Sequence, residues 1–141
     1  MANAKYNNFG RAIAKSDLDL VTIKAMFMTP AYVPNPDTHV FLSDISASRA
    51  AGTTDLTVAG LTMTADNTDD RTEFVISTLV TGTITVLLGT NGVVFYIDTG
   101  VAATSELLTY NDLLLAGVQH TFFPIAGTLT ATINANGIFS I

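Results

Sequence analysis

Pro30, Pro34 and Pro36 crowd into one short stretch, directly after a run of strict two-residue alternation. Val21, Ile23, Ala25 and Phe27 fall on one face of an extended strand, and Thr22, Lys24, Met26 and Met28 on the other. The first face is expected to be core. Each proline fixes its own φ and lacks an amide donor, so Thr29 to Asp37 cannot continue a ladder. The sequence therefore predicts a β-strand that leaves its sheet through an ordered, proline-stiffened loop.

A chain of 141 residues is the size of one domain and buries roughly two-thirds of its unfolded surface on folding. The expected layout is a single domain over 1–141, with an N-terminal arm or short helix over 1–17 and the main body over 18–141. Cysteine is absent, which excludes disulfides, thiolate metal sites and cysteine nucleophiles. Charged residues make up 13% of the chain, against about 25% in ordinary soluble domains. Much of the surface must then be neutral, and a neutral surface protects a free monomer poorly. This favours an assembly, with a homo-oligomer as the expected state.

Net charge is −6, yet Lys5, Arg11 and Lys15 cluster near the start and no Lys or Arg follows Arg71. Three cations are too few for a nucleic-acid footprint, so no nucleic-acid partner is expected. They suit either docking on an acidic protein surface or the solvated side of a short helix. No apolar run reaches the roughly 20 residues of a membrane helix, and the first residues lack the apolar core of a secretion signal. The expectation is a protein made in the cytoplasm, with no membrane partner.

Tyr6, Phe9 and Ile13 recur at helical spacing, which predicts a helical segment over about residues 5–15. Asp37 is a candidate N-cap for a turn through Val40, Phe41 and Leu42. Residues 47–57, rich in Ser, Thr, Ala and Gly, read as a surface connection. Beyond them come short β signals: Leu56/Val58 and Leu61/Met63 around Ala59-Gly60, then Thr72 to Ser77 after the polar turn Asp66 to Asp70. Ile84, Val86 and Leu88 alternate before Asn91-Gly92, a strong hairpin signal, and Val93 to Ile97 is apolar on both faces, as for a central strand. Leu129, Ala131 and Ile133 alternate with threonines before Asn136-Gly137. Many short strands with Gly and Asn turns and little helix predict an all-β fold, a single-domain antiparallel β-sandwich with a short N-terminal helical segment.

Chemistry-bearing motifs are sparse. His39 and His120 lie in unlike contexts, and a triad drawn from His39, Ser43 and Asp37 or Asp44 has no framing motif. His39 reads better as a hydrogen-bonding staple of the proline loop. The Asp66–Asp70 run offers hard oxygen ligands but lacks the central Gly and the twelfth-position Glu of a calcium loop, and Arg71 can neutralise it. Gly89-Thr90-Asn91-Gly92 lacks the Lys and helix of a phosphate loop. No enzyme activity, cofactor or metal is expected. Carbohydrate binding would use exposed aromatics, for which Tyr6, Tyr32, Tyr96 and Tyr110 are the candidates in a chain without Trp.

Four blocks carry a resemblance. Tyr6-Asn7-Asn8-Phe9 leads to Thr22-Ile23-Lys24 and then to Thr29, Pro30, Ala31, Tyr32, Pro34, Asn35, Asp37, Thr38, His39 and Phe41. Asp66 to Arg71, Tyr96 to Ser105 and the closing Asn136-Gly137-Ile138 follow. In this order the chain resembles a family of small bacteriophage virion proteins described as capsid decoration or cement proteins. It departs from them in lacking a central Trp, with Leu79 to Thr85 in that region. The resemblance implies a non-enzymatic β-sandwich on the outer surface of an icosahedral phage head, bound to the major capsid protein as a dimer or trimer. Tyr6, Phe9, Arg11, Tyr32, Pro34 and Pro36 are then expected to face the capsid or a sister subunit, or else to seal the open end of the sandwich. The alternative function is a receptor- or carbohydrate-binding module of the tail or fibre.

Overall fold

Strand β2 (Thr22–Met28) forms where the alternation predicts it, and the loop after it leaves the ladder at Thr29, ahead of the first proline. The computed structural model describes residues 4–7, 9, 21–58, 62–67, 71–75, 78–80, 89–115, 118–119, 121, 130–132 and 139–140. Among them, β2 pairs antiparallel with β7 (Gly92–Asp98) along its whole length, from Thr22 opposite Asp98 to Met28 opposite Gly92. On its other side β7 pairs with β8 (Leu107–Asp112). Two short strands, β1 (Ala4–Lys5) and β3 (Leu56–Thr57), complete a five-stranded antiparallel sheet in the order β1-β8-β7-β2-β3.

Both faces of this sheet are core. Ile23, Ala25, Phe27, Val93, Phe95 and Ile97 enter one buried cluster, and Met26, Met28, Val94 and Tyr96 enter the other. The face of β2 carrying Thr22, Lys24, Met26 and Met28 is therefore buried over its second half as well, with only Thr22 exposed and Lys24 half-buried. What buries it comes from outside the strand: Tyr6, Tyr32, Leu42 and Ile45 share a cluster with the methionines. Val93 to Ile97, expected as a doubly covered central strand, has no residue more than 6% exposed. A register shift opposite Phe95 and Tyr96 leaves an extra residue in β8, and Leu108 there turns into the cluster opposite that of Leu107 and Tyr110.

The outer edges of the sheet are closed by short segments rather than long strands. Ala50 N–H donates to Phe27 O at 2.8 Å and Val58 N–H to Ile23 O at 2.8 Å, which satisfies the free side of β2. Along β8, Tyr6 N–H donates to Leu108 O at 3.2 Å, Leu107 N–H to Val40 O at 2.9 Å and Leu42 N–H to Ser105 O at 2.8 Å. Short, interrupted cover of this kind blunts a sheet edge against pairing with another chain.

A three-stranded antiparallel sheet joins β12 (Phe139–Ser140), β5 (Arg71–Val75) and β4 (Thr62–Asp66). The expected turn after Asp66 is its hairpin, with Asp66 opposite Arg71. Phe74 of β5, 1% exposed, joins the cluster of Phe27 and Phe95. Two further pairs are β6 (Thr78–Val80) with β11 (Thr130–Thr132), and β9 (Leu114–Leu115) with β10 (Val118–Gln119).

Three expectations are corrected. The helical turn after the proline loop is α1 (Leu42–Ile45), later than an Asp37 cap would place it. Its start is held from inside, because Asp44 Oδ2 accepts the N–H of Phe41 at 2.8 Å and of Val40 at 2.9 Å. These two donors hold the Asp44 carboxyl below its usual range. The helical segment expected over about residues 5–15 does not include Lys5, which lies in β1 with Ala4 opposite Tyr110 and Lys5 opposite Thr109; Phe9 is helical, and residues 8 and 10–15 lie outside the described residues. Asn91-Gly92 is not a hairpin turn: Gly92 begins β7 with extended neighbours on both sides, and it is absent from the glycines with positive φ. The reason for glycine is steric, since a Cβ there would collide with the Tyr110 ring. The strand at Ile84 to Leu88, the Asn136-Gly137 turn, Arg11 and His120 lie outside the described residues.

Candidate functional site

Residue 33 precedes Pro34, which pushes it into extended conformation, so neighbouring side chains point opposite ways. Tyr32 turns inward and is 4% exposed, while Val33 turns outward and is 66% exposed. Pro34 and Pro36 are half-buried in the same loop. The loop is bound to itself by Asn35: its carbonyl accepts His39 N–H at 2.9 Å and Thr38 N–H at 3.3 Å, and its side-chain oxygen accepts Asp37 N–H at 3.1 Å. His39 is the expected staple, for its Nδ1 accepts Asn35 N–H at 3.2 Å.

That backbone donor identifies Nδ1 as the unprotonated ring nitrogen. Tyr32, whose hydroxyl lies 3.0 Å from Nδ1, therefore donates to it and accepts from the Tyr6 hydroxyl at 2.6 Å. The result is a directed chain from Tyr6 through Tyr32 to His39. The Tyr32 ring stacks on His39 with centroids 5.6 Å apart and tilts against Tyr110 at 5.8 Å. Burial, reinforced by donation to Tyr32, pushes the Tyr6 phenol far above its ordinary value, and burial pushes Tyr32 up against the opposing effect of the bond it accepts.

The second projecting loop runs from Asp98 to Ser105. Asp98 ends β7 with Lys24 Nζ 2.6 Å from Oδ2, and its Oδ1 accepts Gly100 N–H at 3.0 Å. Lys24 first, then the Gly100 amide, holds this carboxyl below its usual range. Gly100 sits at φ 80°, where a side chain would strain the backbone. Val101 O then collects Thr104 N–H at 3.0 Å, Ser105 N–H at 3.1 Å and the Ser105 hydroxyl at 3.0 Å. The knot is fastened to α1 by Ser43 N–H donating to Ala102 O at 3.1 Å. It presents Val101, 57% exposed, beside exposed Ala102 and Ala103. Val33 and Val101 are the exposed large apolar side chains among the described residues.

Of the residues expected at a partner contact, Tyr6, Phe9 and Tyr32 are thus inside the core at 1%, 6% and 4% exposure, where they seal one face of the sheet or the other. Pro34 and Pro36 remain on the loop surface. Val33 and Val101 were missed; the proline after Val33 and the glycine before Val101 are the signals that could have found them. The candidate triad groups have other duties: Asp44 holds the start of α1, Asp37 accepts Asn7 Nδ2 at 2.6 Å, and His39 Nδ1 is engaged by Asn35 and Tyr32. Among the described residues no three His, Asp or Glu side chains gather as a metal site. All four tyrosines are buried, Tyr96 donating to Asp55 Oδ2 at 2.7 Å. No family model, curated protein or solved structure matches the chain.

Proposed function

We propose that this chain is a non-enzymatic viral structural protein that binds the outer surface of an icosahedral phage head and cements neighbouring major capsid subunits. In this reading it is made in the host cytoplasm, resides on the virion, and acts as a homo-oligomer of single β-sandwich domains. The observation that carries it is the pair of internally bonded loops that hold Val33 and Val101 out to solvent. A clamp on a rigid shell needs such loops, because ordering a mobile one on binding costs about 1–2 kcal/mol per residue. The sandwich is supported by Phe74, which brings the β4-β5-β12 sheet onto the core of the five-stranded one. The partner in this reading comes from the resemblance of the motif blocks to those of the decoration proteins.

Carbohydrate binding at a tail or fibre has less support, since it calls for an exposed aromatic platform and every tyrosine is buried. The deciding experiment mixes the purified protein with heads that lack it and images the particles by cryo-electron microscopy. Density at regular shell positions, with Val33 or Val101 at the contact, is the expected result. Bare heads in the presence of folded protein would refute the head-surface reading.

A further inference from the structure

Residues 4–7 bond to partners far along the chain. Their backbone follows the outer edge of β8, through the pairing of Ala4 with Tyr110 and Lys5 with Thr109 and through Tyr6 N–H on Leu108 O. Their side chains do something else. The Tyr6 ring fills the cluster of Tyr32, Tyr110 and Met26, and its hydroxyl is the first donor of the chain that ends on His39. Asn7 grips the far side of the loop, with its N–H on Pro36 O at 3.3 Å and its Nδ2 on Asp37 Oδ1 at 2.6 Å. Among the described residues, the Tyr32 hydroxyl, Pro36 O and Asp37 Oδ1 reach out of the loop to Tyr6 and Asn7, while Tyr32 N–H stays with Thr29 O at the start of the excursion.

The prolines alone cannot do this work. They limit the φ angles of three residues, whereas the path of the loop across the sheet depends on where Tyr32 and Pro36 are fastened. Asn35 and His39 tie the loop to itself, and Tyr6 and Asn7 tie it to the sheet. We propose that residues 4–7 are a latch: their docking on β8 sets the conformation of the Tyr32–His39 loop, and the loop in turn holds the latch down. The two segments share one equilibrium, so that anything binding the loop in its present shape tightens the N-terminal segment, and loss of that segment loosens the loop surface around Val33. This coupling stands whether or not the loop meets a phage head.

Reciprocity separates a latch from general stabilisation, because linkage requires each side to shift the other by the same factor. The test is native-state hydrogen exchange on the full chain carrying Tyr6→Phe, Asn7→Ala or Tyr32→Phe. Tyr6→Phe keeps the buried ring and removes one hydroxyl, so the fold is retained. The expected result in Tyr6→Phe and Asn7→Ala is about five- to tenfold faster exchange of the Thr38 and His39 amides, the scale set by one lost hydrogen bond. Amides of Phe27 and Phe95 in the central strands keep their wild-type rates. In Tyr32→Phe the Tyr6 amide, which is held by Leu108 O, accelerates by a similar factor. Unchanged loop amides, an unchanged Tyr6 amide in Tyr32→Phe, or equal acceleration of the central strands would each overturn the latch.

Discussion

Raising the pH tests the whole buried face at once. Burial drives the phenols of Tyr6 and Tyr96 far above 10.0, and the bond to Asp55 adds to the effect at Tyr96. In the unfolded chain both ionise near pH 10, while in the native protein they keep their protons. Above that pH the unfolded state binds fewer protons, so stability is full below about pH 10 and falls as pH rises. Each phenol contributes a slope of about 1.4 kcal/mol per pH unit, and the pair about 2.7. Between about pH 10.5 and 12 the loss is about 4 kcal/mol, and Tyr32, also raised, adds in the same direction. That is a large share of the 5–15 kcal/mol that holds an ordinary domain together. The chain has four tyrosines and no tryptophan, so phenolate absorbance reports these groups without interference. The expectation is little ionisation until the fold gives way, then a single cooperative rise coincident with loss of the far-ultraviolet circular dichroism. Tyr6→Phe should flatten the pH slope of stability by about 1.4 kcal/mol per unit. Gradual ionisation near pH 10 with the dichroism intact would refute the burial of these hydroxyls and the directed chain built on it.

Asp55 anchors the residue 49–55 connection, with Arg49 Nε on Oδ1 at 2.8 Å, Arg49 Nη2 on Oδ2 at 2.7 Å and the Tyr96 hydroxyl on Oδ2 at 2.7 Å. Asp55→Ala should cost about 2–3 kcal/mol and lower Tm by roughly 5–10 °C in calorimetry, and an unchanged Tm would refute the anchor. Gly92→Ala puts a methyl group into the Tyr110 ring and should cost about 1–3 kcal/mol in urea unfolding. Combining it with Tyr110→Leu should cost less than the two separate losses added together, whereas strict additivity would deny the contact. Val33→Asp and Val101→Asp alter exposed side chains and should leave stability within about 0.5 kcal/mol while abolishing head binding in co-sedimentation.

The parts of the fold that sequence could reveal were local. Alternation placed β2, the doubly apolar run at 93–97 marked the central strand, and the prolines marked the loop. The Asx-rich turn after Asp66 gave the β4-β5 hairpin, and His39 was legible as a staple from its place in the loop. What escaped was set by partners far away. Only the Ile23 face of β2 was read as core, yet Met26 and Met28, which share the other face with Thr22 and Lys24, are buried with residues from the loop and from α1. Asn91-Gly92 has the sequence of a type I′ turn, but the space claimed by Tyr110 decides the use of that glycine. Tyr6 and Tyr32 were picked out as aromatics near a contact; their bond spans 26 positions and no short-range pattern encodes it.

The closed edges of the sheet bear on how the chain can assemble. Edge-to-edge pairing needs a row of free N–H and C=O groups, and on β2 and β8 those groups are taken by residues 50, 58, 6, 40 and 42. At this sheet, a contact is then made through side chains and loop backbone, and among the described residues Val33 and Val101 are its exposed large apolar groups. Single contacts of that size are weak. Repetition on a symmetric surface converts weak contacts into firm attachment, provided the spacing of the loops is fixed before binding. Here spacing is fixed from behind: Tyr6 and Asn7 hold one loop and Ser43 holds the other, all three from segments that themselves cap β8 or follow its cap. The same few residues thus cover the sheet edge and hold the loops, so a substitution that weakens the edge should also loosen the loops on which the proposed attachment depends.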